Sequence, residues 1–436
     1  MKRGKLKFID LFAGLGGFHL AMNNLGHECV FASELHQDLR GYYENNFHDI
    51  NPEFIIGNIH DYSVTKIPPH DILCAGFPCQ PFSKAGNRKG LEDPVNGNHF
   101  NKIMEILNLH KPKYVFLENV PNLDSHDDGK TWEKINLELT GEYDVQKKIL
   151  SPHEFGVPQH RKRVYIVGVR KDEGGLKDFD FEFNGKLKGK TNINTILEKG
   201  PDNFLPLRKI SKEHLNVWQE FLDNLSIEEA PSFPIWTAEF KATYPFEDKS
   251  TTSYSANQLK EFNGKFGCEI NGKNKKEVVD CLPSYARTNQ KVFPPWKQNY
   301  IRKNREFYQI HKKWIDKWLP KIKNWEHSHQ KFEWNCGKTE LRIKGNIIQF
   351  RPSGIRVKKP ETSPALVLSS TQIPIVYDEV LEEYRYMTIT EAARLQSMDS
   401  LKTKPAPIGR AFRAFGNAVN VTVVEEIGKK LINYET

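Results

Sequence analysis

The run Lys7-Phe8-Ile9-Asp10-Leu11-Phe12 leads straight into Ala13-Gly14-Leu15-Gly16-Gly17 and then into a second apolar stretch, Phe18 to Leu25. Strand, glycine turn and helix in this order make a nucleotide-binding opening. Glycine lets the backbone approach a ligand, and the free N–H groups of a helix N-terminus point at whatever lies beyond the turn. The next strand, Cys29 to Ser33, ends on Glu34, 20 residues past Gly14, a spacing at which a carboxylate can accept the hydroxyls of a ribose. The alternation continues with a helix over 37–46, a strand Phe54-Ile55-Ile56, the apolar run Ile72-Leu73-Cys74-Ala75, a helix over 101–109 and a strand Tyr114-Val115-Phe116-Leu117 that ends on Glu118-Asn119-Val120. Sustained alternation predicts an α/β fold with a doubly wound sheet, in which ligands bind beyond the carboxyl ends of the strands. Glu34, Glu118 and the turn after Ala75 should then face one crevice.

That turn is Gly76-Phe77-Pro78-Cys79-Gln80-Pro81-Phe82-Ser83. Proline fixes φ and gives up its N–H, so Pro78 and Pro81 end the strand and restrict where Cys79 can point. A free cysteine is by default a small buried hydrophobe, and Cys74, inside the apolar run, reads as one. Cys79 reads as a nucleophile because the other strand ends also deliver reactive groups. The six cysteines form no CxxC pair, which predicts neither a zinc site nor a disulfide framework and suits a reducing cytoplasm. Segment 84–98, polar, basic and punctuated by glycine, reads as a loop able to close over a substrate. Gln159-His160-Arg161-Lys162-Arg163 sets two arginines at alternating positions entering a strand, either to bind phosphate or carboxylate or as a solvated edge.

From Lys171 the texture turns to short segments broken by glycine and proline, so 171–350 reads as a separate, irregular domain. The net charge of +8 is concentrated there: Trp296 to Lys331 holds ten basic residues against three acids. Phe307, Ile310, Trp314, Trp318, Ile322 and Trp325 recur at spacings of three and four, a helical face that reads as core, interrupted at Pro320; Lys312, Lys313 and Lys317 between them form a candidate phosphate-binding face. Beyond 350, Thr388-Ile389-Thr390-Glu391 has the spacing of a capping box ahead of Ala392 to Gln396. Phe415 to Val419 is expected to start a final helix whose apolar face, Val419, Val423, Ile427 and Leu431, packs on the first sheet. No apolar run approaches the roughly 20 residues that span a bilayer.

Phe12 to Gly17, Gly76 to Ser83, Glu118-Asn119-Val120, Gln159 to Arg163, Ala393-Arg394-Leu395-Gln396 and Gly416 to Val419 resemble the motifs of the DNA (cytosine-5) methyltransferases, in that family's order. The resemblance covers roughly 6–170 and 350 onward. It implies a Rossmann-like, S-adenosylmethionine-dependent catalytic domain built from 1–170 and completed by 351–436, with a smaller, irregular target-recognition domain over 171–350. It implies S-adenosyl-L-methionine held by Phe12, Gly14, Gly16, Gly17, Glu34 on the ribose, Asn58, Ile59, Pro78, Asn417 and Val419. It implies Cys79 as nucleophile, Glu118 on the target base, and Arg161 and Arg163 in the active site, with no metal. Gln80, Ser83, Lys84, Arg88 and Lys89, together with Lys312, Lys313 and Lys317, would contact double-stranded DNA. Asn58 stands where the family commonly has aspartate, His99 where an apolar residue is usual, and Met398-Asp399 where Phe-Pro is usual. The short chain looks like the stand-alone bacterial enzymes: a cytoplasmic monomer with a restriction endonuclease as companion, not as a stable complex. Methylation of tRNA by the same chemistry, a non-catalytic DNA-binding regulator and a nicotinamide dehydrogenase are the rival readings.

Overall fold

The computed structural model describes residues 4–78, 98–177, 179–183, 190–366 and 372–433. It contains two compact units, Met1–Glu198 with Glu361–Ile373 and Met387–Thr436, and Lys199–Pro360 with Pro374–Tyr386. The first unit opens with β1 (Lys7–Leu11), α1 (Gly17–Asn24), β2 (Glu28–Ser33), α2 (Gln37–Asn46), β3 (Ile55–Ile56), β4 (Ile72–Ala75), α3 (Asn98–His110) and β5 (Tyr114–Asn119). It continues through α4 (Asn122–Ser125), α5 (Lys130–Leu139), β6 (Tyr143–Leu150), β7 (Gln159–His160) and β8 (Arg163–Arg170). The seven-stranded sheet runs β3-β2-β1-β4-β5-β8-β6. Neighbours from β3 to β5 are parallel, whereas β8 is antiparallel to both β5 and β6.

Both faces of the sheet are covered, which is why β4 and β5 are buried throughout rather than alternating, with apolar runs Ile72 to Ala75 and Tyr114 to Leu117. On one face Ile9, Leu11, Leu73 and Val115 share a core with Phe100, Ile103 and Ile106 of α3. On the other, Phe18 of α1 meets Phe116 edge-on, at 5.1 Å between ring centroids. The sheet is thus doubly wound, as expected.

Residues 171–350 were expected as an irregular domain, and the structure differs in both respects. The second unit begins only at Lys199, because Leu176, Phe179, Phe181, Ile193 and Ile196 are buried and belong to the first. It is also regular: α6 (Lys209–Asp223), β9 (Ile235–Trp236), α7 (Ala256–Leu259), α8 (Lys275–Asp280), α9 (Pro295–Trp318), β10 (Lys331–Asn335), β11 (Ile347–Arg351) and β12 (Gly354–Lys358). The chain returns to the first unit as β13 (Ser363–Pro364), paired with β7, and goes back once more for β14 (Ile375–Asp378) and β15 (Glu383–Tyr386). These strands make a six-stranded sheet in the order β15-β14-β11-β12-β10-β9. Its alternation, with Phe332 and Trp334 or Ile355 and Val357 inward, is real but spans only five residues at a time between glycines and prolines. On α9 Phe307 and Trp318 are buried as expected, but Ile310 is 75% exposed and off the apolar face.

The first unit closes with α10 (Ile389–Arg394), α11 (Ile408–Asn417) and α12 (Val421–Asn433). Thr388 and Glu391 form the capping box their spacing predicts. The final helix does not start at Phe415: Phe415 to Asn417 end α11, Ala418 is extended, and Asn420 Oδ1 accepts the Val423 N–H and so caps α12. Val423 and Ile427 are buried, but α12 lies on α1, where a Cβ at Gly428 would stand 2.8 Å from Leu25.

Candidate active site

Register alone lines up one edge of the first sheet. Leu11 pairs with Ser33 and with Ala75, and Ala75 pairs with Leu117, so the next residues, Glu34, Phe12, Gly76 and Glu118, stand in a row. Because β8 runs antiparallel, with Val164 opposite Asn119, its first residue Arg163 arrives at the same edge. Cys79, Gln80, Ser83, Lys84, Arg88 and Lys89, and the loop expected over 84–98 up to residue 97, lie outside the described residues. The chain leading to them is held in place. Asn119 Nδ2 donates to the Phe77 carbonyl at 3.2 Å, tying the Gly76-Phe77-Pro78 turn to the strand that carries Glu118.

Glu118 is the most unusual group at this edge. Burial pushes its carboxyl above the ordinary range, against the opposing pull of Arg163 and then Arg161. Arg163 Nε stands 3.1 Å from Glu118 Oε1, yet the alignment is that of a charge contact, and Oε1 hydrogen-bonds nothing among the described residues. A buried carboxyl oxygen without a hydrogen bond is costly unless something else is to occupy it. Arg161 is otherwise engaged: its guanidinium donates to the Gly416 and Ala418 carbonyls, bracing the turn between α11 and α12.

Braced in this way, Val419 explains two glycines. A Cβ on Gly17 would sit 2.5 Å from the Val419 carbonyl oxygen, and one on Gly76 3.1 Å from Val419 Cγ2. Gly16, at φ +82°, is filled on its open side by the Phe47 ring, 2.3 Å from where a Cβ would stand. These glycines serve packing, whereas Gly14, at φ +57°, has nothing within 4 Å of a Cβ position and leaves its backbone open.

Of the other residues expected at a cofactor, Glu34 bonds directly to Gly14. Glu34 is buried; its Oε2 accepts the Gly14 N–H at 2.9 Å and its Oε1 the His36 N–H at 2.8 Å, so each oxygen keeps a lone pair. Asn58 Oδ1 accepts the His60 N–H and, among the described residues, likewise keeps one. Ile59 is buried, and Pro78 half-buried. Phe12, held at φ +57°, packs edge-on against His99, whose Nδ1 lies 2.8 Å from His60 Nε2. That histidine pair carried no signal in the sequence, because its members are 39 residues apart. Asn417 is exposed at the end of α11. In the second unit Lys312, Lys313 and Lys317 are exposed on α9.

Among the described residues no cluster of His, Cys, Asp or Glu is arranged to hold a metal, and no helix is long and apolar enough to cross a membrane. Solved structures of similar fold include a methyltransferase of Entamoeba histolytica (14% identity, all of both chains, TM-score 0.51) and a DNMT2 variant of Spodoptera frugiperda (17% identity, 98% of this chain and 99% of that one, TM-score 0.50). Among curated proteins the chain is similar to the type II methyltransferase M.HhaI of Haemophilus parahaemolyticus, with 45% identity over 44% of this chain and 57% of that protein. It is similar to M.MspI of Moraxella at 40% over 48% of each, so it spans about half the length of such relatives. With M.AluI of Cellulosimicrobium cellulans it shares 29% identity over 97% of this chain and 91% of that one. The family of C-5 cytosine-specific DNA methylases matches residues 6–433, the strands of both units included, and the chain belongs to that family.

Proposed function

We propose that the chain transfers a methyl group from S-adenosyl-L-methionine to C5 of a flipped-out cytosine in a specific duplex DNA sequence, through a covalent Cys79–C6 adduct. The observation that carries this reading is the buried Glu118 carboxyl, with one oxygen free of hydrogen bonds among the described residues, beside the turn that leads into Cys79. Cytosine C5 is too delocalised to take a methyl group directly. A thiolate is soft and strongly nucleophilic, and its attack at C6 moves the ring electrons to C5. Glu118 is suited to meet that moment: its raised pKa favours the protonated form, whose O–H donates to N3 while the other oxygen accepts from the exocyclic amine. Once C5 is methylated it loses its proton, the Sγ–C6 bond breaks, and the 5,6 double bond returns with Cys79 as leaving group.

The first unit fits the cofactor. Gly14 leaves open backbone, and Glu34 and Asn58 keep lone pairs for a ribose and an adenine amino group, with Phe12, Ile59, Pro78, Asn417 and Val419 as further neighbours. The bound cofactor supplies an electrophilic methyl on sulfur. Arg163 orients Glu118, and Arg161 acts through the Gly416–Ala418 carbonyls. A stacked cytosine is out of reach, so it must be extruded at a cost of a few kcal/mol. The 84–98 loop would close over it, Gln80, Ser83, Lys84, Arg88 and Lys89 would contact the DNA, and the second unit would read the sequence. A restriction endonuclease of the same specificity is the natural companion in a cytoplasm where the chain acts as a monomer. Labelled-methyl transfer to duplex DNA tests the reading: Cys79→Ala should abolish transfer and retain DNA binding, and retained transfer would remove Cys79 as nucleophile.

A further inference from the structure

The second unit has a groove of about 600 Å³ whose lining is aromatic and basic: Trp236, Tyr285, Trp296, Tyr300, Lys297 and Lys331 among others. Its size falls in the range of roughly 300–1,000 Å³ typical of small-ligand sites. The rings form a continuous run. Tyr285 and Trp236 have centroids 4.3 Å apart, Trp236 and Tyr300 5.5 Å, and Tyr300 and Trp296 5.9 Å. The inner end is anchored, because the Tyr285 hydroxyl donates to buried Glu239 at 2.9 Å and the backbone N–H of Trp236 donates to Asn304 Oδ1 at 2.7 Å. The outer end is open, with Trp296 55% exposed.

The charges in this groove are unbalanced. Lys331 Nζ lies 4.9 Å from the Tyr285 ring centroid and 5.9 Å from that of Trp236, and Lys297 donates to the Tyr285 carbonyl at 2.9 Å. Neither lysine pairs with a carboxylate among the described residues. Glu333, the acid lining the groove, is taken by Arg356 at 2.6 Å. Burial holds both ammonium groups below the ordinary lysine range, and at Lys331 the nearby charge of Lys297 adds to it. Two half-buried cations without a counter-ion call for an anion, and an open tryptophan beside them calls for a flat apolar ring. A nucleotide carries both, and stacking on aromatic rings beside a basic groove is how unpaired strands are held.

We propose that this groove is a second nucleotide site, separate from that of the target cytosine, which takes one unpaired nucleotide of a DNA strand with its phosphate on Lys297 and Lys331 and its base against Trp296. The proposal rests on the chain's acting on DNA. The test uses the full chain and a single-stranded oligonucleotide carrying 5-iododeoxyuridine, beside a fully paired duplex of the same sequence. Trp296→Ala, at an exposed position, and Lys331→Gln should each weaken single-strand binding about 10-fold, the scale of one lost stacking or phosphate contact, and change duplex binding by less than about 2-fold. Photo-crosslinks should map to Trp296 or Tyr300. Single-strand affinity unchanged in Trp296→Ala, or crosslinks confined to other residues, would overturn the site while leaving the methyltransferase reading intact. A wild-type chain that binds neither strand nor duplex would overturn both.

Discussion

Removing Arg163 is the sharpest perturbation of the proposed catalytic carboxyl. Its side chain is 18% exposed and that of Glu118 8%, with 3.1 Å between Nε and Oε1, so the pair is nearly dry. Taking one partner from such a pair costs about 3–5 kcal/mol, because the other charge stays buried without compensation. Arg161 still acts on Glu118 and a proton can neutralise it, so Arg163→Met should cost about 3 kcal/mol at alkaline pH and less in acid. The sign follows from linkage. The folded carboxyl already holds its proton more tightly than the unfolded one, so its contribution is greatest below the ordinary glutamate pKa and is lost as pH rises through the folded value. Losing the Arg163 charge raises that folded value again and carries the loss to higher pH. Glu118→Gln removes the titration, and in the double variant most of the cost of Arg163→Met should return. All tryptophans except Trp132 lie in the second unit, so fluorescence is the wrong probe. Amide exchange in β5 and β8 at about pH 6 and about pH 8, read by mass spectrometry, follows the first unit directly. Equal protection of Arg163→Met at both pH values, or no recovery in the double variant, would refute the reasoning.

Gly17→Ala should destabilise the first unit by about 1–3 kcal/mol, since its Cβ meets the Val419 carbonyl at 2.5 Å next to carbonyls that Arg161 grips; a loss below about 0.5 kcal/mol in urea unfolding would mean that the turn yields. Asp10, fully buried, has its carboxyl pushed up to about 8 by burial, so the wild type should lose stability as pH climbs toward that value, and Asp10→Asn should flatten the decline. Identical pH slopes for the two would exclude Asp10 as the source. Replacing Lys312, Lys313 and Lys317 together by alanine should lower the slope of log affinity for duplex DNA against log salt by up to about 0.9 per lysine, and an unchanged slope would make them a solvated face.

Local pattern was enough for much of this molecule. The alternation from Lys7 to Glu118 determined a doubly wound sheet, because apolar runs of strand length separated by helical periods have few other ways to bury themselves. Capping chemistry at Thr388 and Glu391 was equally legible, since its partners lie three residues apart. What tertiary structure decided lies between residues distant in the chain. The antiparallel β8 brings Arg163 to Glu118, Arg161 spans to Gly416 and Ala418, and Val419 fills the space left by Gly17 and Gly76. The unbalanced lysines among the rings of the second unit likewise come from β10, α9 and the segments before them. A sequence displays spacing along one chain, whereas charge compensation and steric fit depend on distances across space, and only folding sets those.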